Sequence, residues 1–116
     1  MSQIDLQEKH LRTLLEILAR HVPQSEVWAY GSRVSHTGHE GSDLDLVLRN
    51  PSRLEEPTTG WADLKEALED SSLPMMVELH DWARLPQPFR DEIQRKHLVL
   101  WEGDKPNNLR LSGEPS

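Results

Sequence analysis

The chain has 116 residues and a formal net charge of −7, from 13 Lys and Arg against 20 Asp and Glu. This length predicts one domain with a hydrophobic core, and the acidic balance argues against an extended nucleic-acid-binding surface, which needs a basic face. The absence of cysteine excludes disulfides and thiolate sites, and neither a signal peptide nor an apolar run of ~20 residues is recognisable, so we expect a cytoplasmic protein without membrane association.

Helical and strand patterns alternate along the chain, which predicts an α/β (α+β) fold with a mixed β-sheet flanked by helices. We assign residues 1–101 to this domain and 102–116, rich in Gly, Asp, Pro, Asn and Ser, to a flexible C-terminal tail. In chain order the predicted elements are a helix from Leu6 to about Arg20, a strand Glu26–Tyr30, a short helix and loop over 33–41, a strand Asp43–Leu48, a helix Trp61–Glu69, a strand Met75–His80, a helix Phe89–Lys96 and a strand Leu98–Trp101.

Two aspartates stand one residue apart in the second predicted strand. Side chains alternate between the faces of a strand, so Asp43 and Asp45 share one face and Leu44 and Leu46 share the other. Aspartate is depleted in strands, and two like charges on one face repel each other unless a cation lies between them. The pattern therefore predicts a divalent metal bound by both carboxylates.

A Gly-Ser turn precedes these aspartates, directly after the first predicted strand. Glycine allows the backbone to approach a phosphate closely, and a serine offers both its hydroxyl and its N–H. Gly31 and Ser32 are therefore candidates for binding a phosphate chain, and Arg33 adds a charged fork for phosphate oxygens. A lone Gly-Ser or a lone Asp-x-Asp is weak, whereas both together, each beside an apolar strand, form a stronger signal.

Gly31-Ser32, ten further residues and then Asp43-Leu44-Asp45 resemble the signature of the polymerase β-type nucleotidyltransferase superfamily. The short length is similar to its minimal nucleotidyltransferase branch, whose members are encoded beside a HEPN-domain or substrate-binding partner. The segment 77–82 is similar to the third acidic strand of that family, which often has Asp where Glu78 stands. The chain departs from the family at Ser35 and His36, where a second Arg and a Gly are common.

This resemblance implies a nucleotidyltransferase fold that uses ATP and Mg²⁺. It implies Asp43, Asp45 and Glu78 as catalytic residues and metal ligands, and it extends the nucleotide-binding set of Gly31, Ser32 and Arg33 to Ser42. Two Mg²⁺ ions would bind the attacking and leaving oxygens, and hard carboxylate oxygens suit that ion. The third carboxylate could instead take the proton of the acceptor hydroxyl.

The resemblance also implies AMP transfer from ATP to a hydroxyl of a helical HEPN-type partner, with this chain as the antitoxin. Two alternatives stay open: a subunit that modifies a small molecule such as an aminoglycoside, and a non-catalytic module that occludes its partner. A homo-oligomer is a further possibility. We expect Trp82 and Trp101 to contribute to the surface that a partner covers, because they follow strands.

Two other groups of residues receive ordinary structural roles. Asp81 follows the third predicted strand, so we expect it to serve as a turn or cap residue. His36 and His39 lie three residues apart, but without cysteine or a His-Glu-x-x-His motif a zinc site is not expected.

Overall fold

The structure, a computed structural model, describes residues 4–38 and 41–103. Every predicted helix and strand is present, with ends that differ by a few residues from those expected. The observed elements are α1 Glu8–His21, β1 Glu26–Tyr30, α2 Ser32–Ser35, β2 Leu44–Arg49, α3 Trp61–Glu69, β3 Val77–Asp81, a 3₁₀ turn Trp82–Arg84, α4 Gln87–Arg95 and β4 Leu98–Trp101.

Local contacts explain where two helices begin. α1 starts at Glu8 rather than near Leu6, because the preceding segment is extended and the Asp5 N–H donates to the Arg33 carbonyl oxygen at 2.8 Å. α4 starts at Gln87, before the predicted Phe89, because Pro88 is tolerated in the first helical turn, where its missing N–H costs no intrahelical bond.

The four strands form one mixed sheet in the order β3-β2-β1-β4. β1 is antiparallel to both β2 and β4, and β2 is parallel to β3. The strands β3 and β4 are therefore the edges, and α3 lies in the crossover that joins the parallel pair. This confirms the predicted mixed sheet flanked by helices.

One face of the sheet packs against α1 and α3 and is apolar along its whole length. From β2 it receives Leu44, Leu46 and Leu48, each fully buried. Leu14 and Leu18 of α1 and Leu64 of α3 complete this layer. The alternation of β2 thus places its leucines in the main core and its polar residues on the other face.

The second face packs against α4 through an aromatic cluster. Trp28 and Trp82 meet edge to face at 5.4 Å between centroids, and the Arg49 guanidinium lies 3.9 Å from the Trp28 ring centroid. Trp82 is only 4% exposed, so the expectation that it contributes to a partner surface is wrong: ring stacking and the neighbouring arginine bury it inside the domain. Trp101 is partly buried.

The predicted tail and the absence of a membrane-spanning helix can be compared with the described residues. The predicted tail 102–116 lies outside the described residues except for Glu102 and Gly103, and Gly103 packs close to the Gln24 carbonyl oxygen. Within residues 4–38 and 41–103, no helix is both long enough and apolar enough to cross a membrane.

Candidate active site

Three side chains form a row across the end of the sheet on the α4 face. Tyr30 at the end of β1 pairs with Asp45 of β2, and Asp45 pairs with Glu78 of β3. Residues that are paired across neighbouring strands point to the same face. Asp43 lies immediately before β2, two residues from Asp45, and is exposed. The structure thus brings the three predicted carboxylates together.

The electrostatics of the row confirm that its members are close. Partial burial, the Asp43 carboxylate and the Glu78 carboxylate all raise the pKa of Asp45 above its usual range, while His80 lowers it. Burial, followed by the charges of Asp45 and Glu78, raises the pKa of the Tyr30 phenol. The site therefore concentrates negative charge that a cation would relieve.

Gly31 connects the phosphate-loop candidate to the carboxylates. Its φ of +85° lies in the region that favours glycine, and a Cβ at this position would overlap the Asp45 carboxylate. A side chain here would displace Asp45, so the sequence needs glycine for the close approach. The turn and the carboxylate row are consequently one site.

The loop after Gly31 folds back on itself at Gly38. A Cβ at Gly38 would lie 2.7 Å from the hydroxyl oxygens of both Ser32 and Ser42. The two predicted serines therefore approach the same point, at the start of α2 and just before Asp43. Sequence reasoning did not single out Gly38, since a lone glycine in a polar loop carries no specific signal.

Arg33 is buried, and its contacts within the chain give it a structural role. Its Nε donates to the Ser42 carbonyl oxygen at 3.1 Å, and a terminal nitrogen donates to the Asp5 carbonyl oxygen at 2.6 Å. These bonds fix the loop ahead of Asp43 and attach the N-terminal segment to it. Direct contact between Arg33 and phosphate stays a prediction.

His36 occupies the position where the family commonly has glycine. It has φ +60° in the left-handed region, which explains the preference for glycine there. Its Nδ1 lies 2.6 Å from the Asp5 carboxylate, so this contact stabilises a conformation that is costly for histidine. The neighbouring His39 of the rejected zinc hypothesis lies outside the described residues.

A pocket of about 310 Å³ opens beside Gly31, between the end of β1 and α4. Tyr30 and Phe89 line it, with their rings edge to face at 5.9 Å, and Lys96 supplies a positive charge at the far end of α4. Sequence analysis did not predict Phe89 or Lys96 as site residues, because they lie more than fifty residues from the Gly-Ser turn.

The residues fit a Mg²⁺ site that a ligand completes rather than a preformed cage. Within the part of the chain that the structure describes, no three His, Asp or Glu side chains converge tightly enough to hold a metal alone. Mg²⁺ is usually held by one or two carboxylates together with substrate phosphates and waters. The donor set of Asp43, Asp45 and Glu78 beside a phosphate turn suits that arrangement.

Asp81 has a role that differs from its neighbour Glu78 on β3. It is 5% exposed and points to the opposite face of the strand, where its Oδ2 accepts the Thr58 N–H at 2.9 Å. It therefore anchors the loop between β2 and α3 from the end of β3. Alternation along the strand excludes it from the carboxylate row.

Comparisons with known proteins identify the family of the chain. A family model described as poly(A) RNA polymerase, mitochondrial-like, central palm domain matches residues 1–94. A probable protein adenylyltransferase MntA from Haemophilus influenzae is 39% identical over 106 residues, covering 90% of each chain. The chain belongs to the MntA family of minimal nucleotidyltransferases. This confirms the family predicted from the Gly-Ser and Asp-x-Asp spacing, and with it an enzyme family that transfers nucleotides.

A solved structure shares the same fold. The crystal structure of a toxin-antitoxin with AMP-PNP superposes with a TM-score of 0.64 at 19% sequence identity, covering 85% of this chain and 77% of that one. The match extends over most of the domain, so the sheet order and the helices on its two faces are those of the nucleotidyltransferase fold.

Proposed function

We propose that this chain transfers AMP from ATP to a hydroxyl group of a partner protein, in a Mg²⁺-dependent reaction, and thereby acts as an antitoxin. The observation that carries the proposal is the contact between Gly31 and Asp45, which joins a phosphate-binding turn to a row of carboxylates. The name of its relative, a probable protein adenylyltransferase, supports the same reaction.

The features around Gly31 support a position for the donor nucleotide. The triphosphate would lie against Gly31 and the hydroxyls of Ser32 and Ser42, whose convergence at Gly38 forms a polar loop. The nucleoside would enter the pocket beside Gly31, where Phe89 offers an aromatic edge and Lys96 a positive charge. Arg33 would hold this loop in shape through its bonds to Ser42 and Asp5.

Carboxylates of the row would hold the metal. Asp43 and Asp45 would bind Mg²⁺, which supplies neutralisation of the charge that develops on the triphosphate. Burial, together with repulsion from Asp43 and Glu78, raises the pKa of Asp45, which reflects the unfavourable energy of holding these carboxylates together. A site of this kind favours metal and nucleotide binding together over either one alone.

The reaction is a single displacement at the α-phosphorus. The acceptor oxygen forms a bond to that phosphorus, the bond from the α-phosphorus to the bridging oxygen breaks, and pyrophosphate leaves. Glu78 is half exposed at the outer end of the row, so it is the carboxylate placed to take the proton of an incoming hydroxyl. Asp45 and Gly31 lie further in, beside the donor.

The acceptor in this proposal is a protein, which the name of the 39% identical relative, a probable protein adenylyltransferase, supports. A helical partner encoded nearby is the acceptor that the family resemblance implies. Because ATP is the donor, the predicted cytoplasmic location follows from the proposed reaction. A hydroxyl such as that of tyrosine is the expected target.

The experiment is co-expression with the product of the neighbouring gene, followed by mass spectrometry of that partner. We expect the partner to gain the mass of one adenylyl group with the wild-type chain and to stay unmodified with Asp45→Asn. Glu66→Gln is the matched control, because Glu66 is an exposed carboxylate on α3 away from the row.

Each alternative has its own outcome in this experiment. An unmodified partner that is nevertheless bound and inhibited by the wild-type chain would replace the proposal with the occluding module. Labelled AMP that appears on a small molecule, with no partner required, would replace it with a small-molecule nucleotidyltransferase. Modification that survives in Asp45→Asn would show that the active site is elsewhere.

A further inference from the structure

The outer edge of β3 lies beside the carboxylate row and has no partner strand among the described residues. Proteins commonly protect such edges with lysine, proline or a bulge. The strand Val77–Asp81 contains neither lysine nor proline, and Met76, just ahead of it, is 71% exposed. The opposite edge, β4, is shorter and pairs with β1 through an irregular register.

The hydrogen bonds to β2 determine which backbone groups of β3 face outwards. The Leu44 N–H donates to the Met76 carbonyl oxygen at 2.8 Å, and Leu44 is paired with Val77. Alternate residues of a strand in a ladder bond to the same neighbour. The backbone groups of Glu78 therefore face β2, while the N–H and C=O groups of Val77 and Leu79 face the open edge.

A groove of about 380 Å³ runs along this edge between β3 and α3. Apolar side chains line it, among them Leu68, Leu73 and Leu79. Lys65 and Glu69 also line it and pair with each other at 2.5 Å. Glu78 is among its lining residues as well. Because Leu79 and Glu78 are neighbours in the strand, their side chains point to opposite faces of β3, that of Leu79 towards α3.

We propose that an extended segment of the acceptor protein adds to the edge of β3 as an antiparallel strand, with its hydroxyl-bearing residue opposite Glu78. This inference rests on the proposed function and gives the acceptor a position. A residue opposite Glu78 shares its face, so the acceptor side chain continues the row of Tyr30, Asp45 and Glu78. It would arrive at the end of the row where the proton acceptor stands.

The backbone geometry suits this placement. Because the N–H and C=O of Glu78 face β2, the antiparallel pair at Glu78 is of the non-hydrogen-bonded kind, with Cα atoms about 4.5 Å apart. The two residues that flank the acceptor would exchange hydrogen bonds with Val77 and Leu79. Main-chain bonds to an open edge are a general means of peptide recognition.

Side-chain length and polarity specify the segment. Asp45 and the donor lie further in along the row than Glu78, so the longest hydroxyl-bearing side chain, that of tyrosine, reaches furthest towards them from the added strand. The flanking side chains point to the other face, where the groove with Leu68 and Leu73 accepts apolar groups. The segment that fits is therefore a tyrosine between two apolar residues in an extended stretch.

The first test uses a blocked hexapeptide with a Val-Tyr-Val core as acceptor and ATP labelled at the α-phosphate. N-methylation of both valines removes the donors that face β3, so we expect transfer to fall at least about tenfold, the effect of two lost backbone hydrogen bonds. N-methylation of the tyrosine is the matched control, because that N–H faces away from β3, and it leaves transfer largely unchanged.

The second test changes the edge itself. Val77→Pro removes an outward N–H without removing a bond to β2, and Val77→Ala shortens the side chain while keeping that N–H. We expect transfer to the peptide, and to the partner protein, to be several-fold lower in Val77→Pro than in Val77→Ala, with equal thermal stability and equal ATP binding. Hydrogen exchange should show protection at Val77 and Leu79 when the wild-type chain binds the peptide with a non-hydrolysable ATP analogue.

The outcomes separate this inference from the function on which it rests. Equal transfer by both Val77 variants, blocking by tyrosine N-methylation, or no effect of either methylation would overturn the docking geometry while leaving AMP transfer intact. If the wild-type chain transfers AMP to no protein or peptide, the proposed function fails, and hydrogen exchange then decides the edge alone. Protection at Val77 and Leu79 would support docking without catalysis, and its absence would overturn it.

Discussion

The two faces of the sheet use the same strand in opposite ways. Towards α1 and α3, β2 contributes Leu44, Leu46 and Leu48, all fully buried. Towards α4 it contributes Asp45, whose pKa is raised by burial and by the charges of its neighbours. The first face supplies apolar burial, which drives folding, whereas the second holds a carboxylate whose ionisation is unfavourable in the folded chain. Such local conflict is typical of functional sites, because selection there acts on chemistry rather than stability.

The largest expected effect is on catalysis, from Asp45→Asn. This change keeps the shape of the side chain but removes a charge from the row, so we expect AMP transfer to fall at least about 100-fold, since even outer-shell partners of a metal are worth 10–100-fold. The thermal midpoint should not fall. Kinetics with labelled ATP measure AMP transfer, and a melting curve measures the midpoint. A lower midpoint in Asp45→Asn would contradict the contrast between the two faces.

Leu46→Ala, at the residue next to Asp45 in β2, should have the opposite effect: it should lower stability and leave the function of the folded molecules unchanged. Leu46 is fully buried on the α1 and α3 face, and truncation of a buried leucine costs about 2–5 kcal/mol of unfolding free energy. The folded fraction should retain its nucleotide affinity. Urea denaturation measures the unfolding free energy, and calorimetry with ATP and Mg²⁺ measures the nucleotide affinity. Loss of ATP affinity in the remaining folded protein would mean that the two faces are mechanically coupled.

The same contrast holds between the two carboxylates of β3. Asp81→Ala removes the buried acceptor of the Thr58 N–H and should cost about 1–3 kcal/mol of stability. Glu78→Gln should leave stability unchanged, lower turnover strongly and retain much of the nucleotide binding. Parallel chemical denaturation and single-turnover assays separate the two variants. If Asp81→Ala also abolished turnover per folded molecule, the third carboxylate of the site would need reassignment.

The smallest effect is a pH dependence of stability in the metal-free chain. The pKa of Asp45 in the folded state is raised above its ordinary value of 3.8, so its ionisation costs stability. That cost is absent below the ordinary value, grows as the pH rises through the interval up to the raised pKa, and is complete above it. Metal-free Asp45→Asn should therefore be more stable than wild type at neutral pH and equal to it in acid.

The same comparison of wild type with Asp45→Asn can be repeated in the presence of Mg²⁺ and ATP. A bound cation offsets the repulsion in the wild-type row, so the stability advantage of Asp45→Asn should shrink or reverse. Melting curves over a pH series, with and without Mg²⁺ and ATP, test this. An advantage that does not depend on pH would show that the packing of the amide side chain, rather than the removal of a charge, is responsible.

The order of elements and the core of the site followed from sequence patterns. The apolar periodicity of α1 and the alternation in Asp43–Leu48 are local signals, and they predicted the helix and the strand that the structure contains. The spacing from Gly31-Ser32 to Asp43 and Asp45 predicted the family, which the comparisons confirm. These features are readable because the residues concerned lie close to each other along the chain.

Only the tertiary structure decided how distant residues meet. The pairing of Tyr30 with Asp45 and of Asp45 with Glu78 depends on the strand order, and Lys96 reaches the pocket because α4 packs beside β1. The sequence predicts Trp82 at a partner surface, whereas the structure buries it, and the buried Arg33 bonds to backbone oxygens. A sequence specifies local propensity and which residues avoid water, but which buried groups become neighbours is determined by packing across the whole chain.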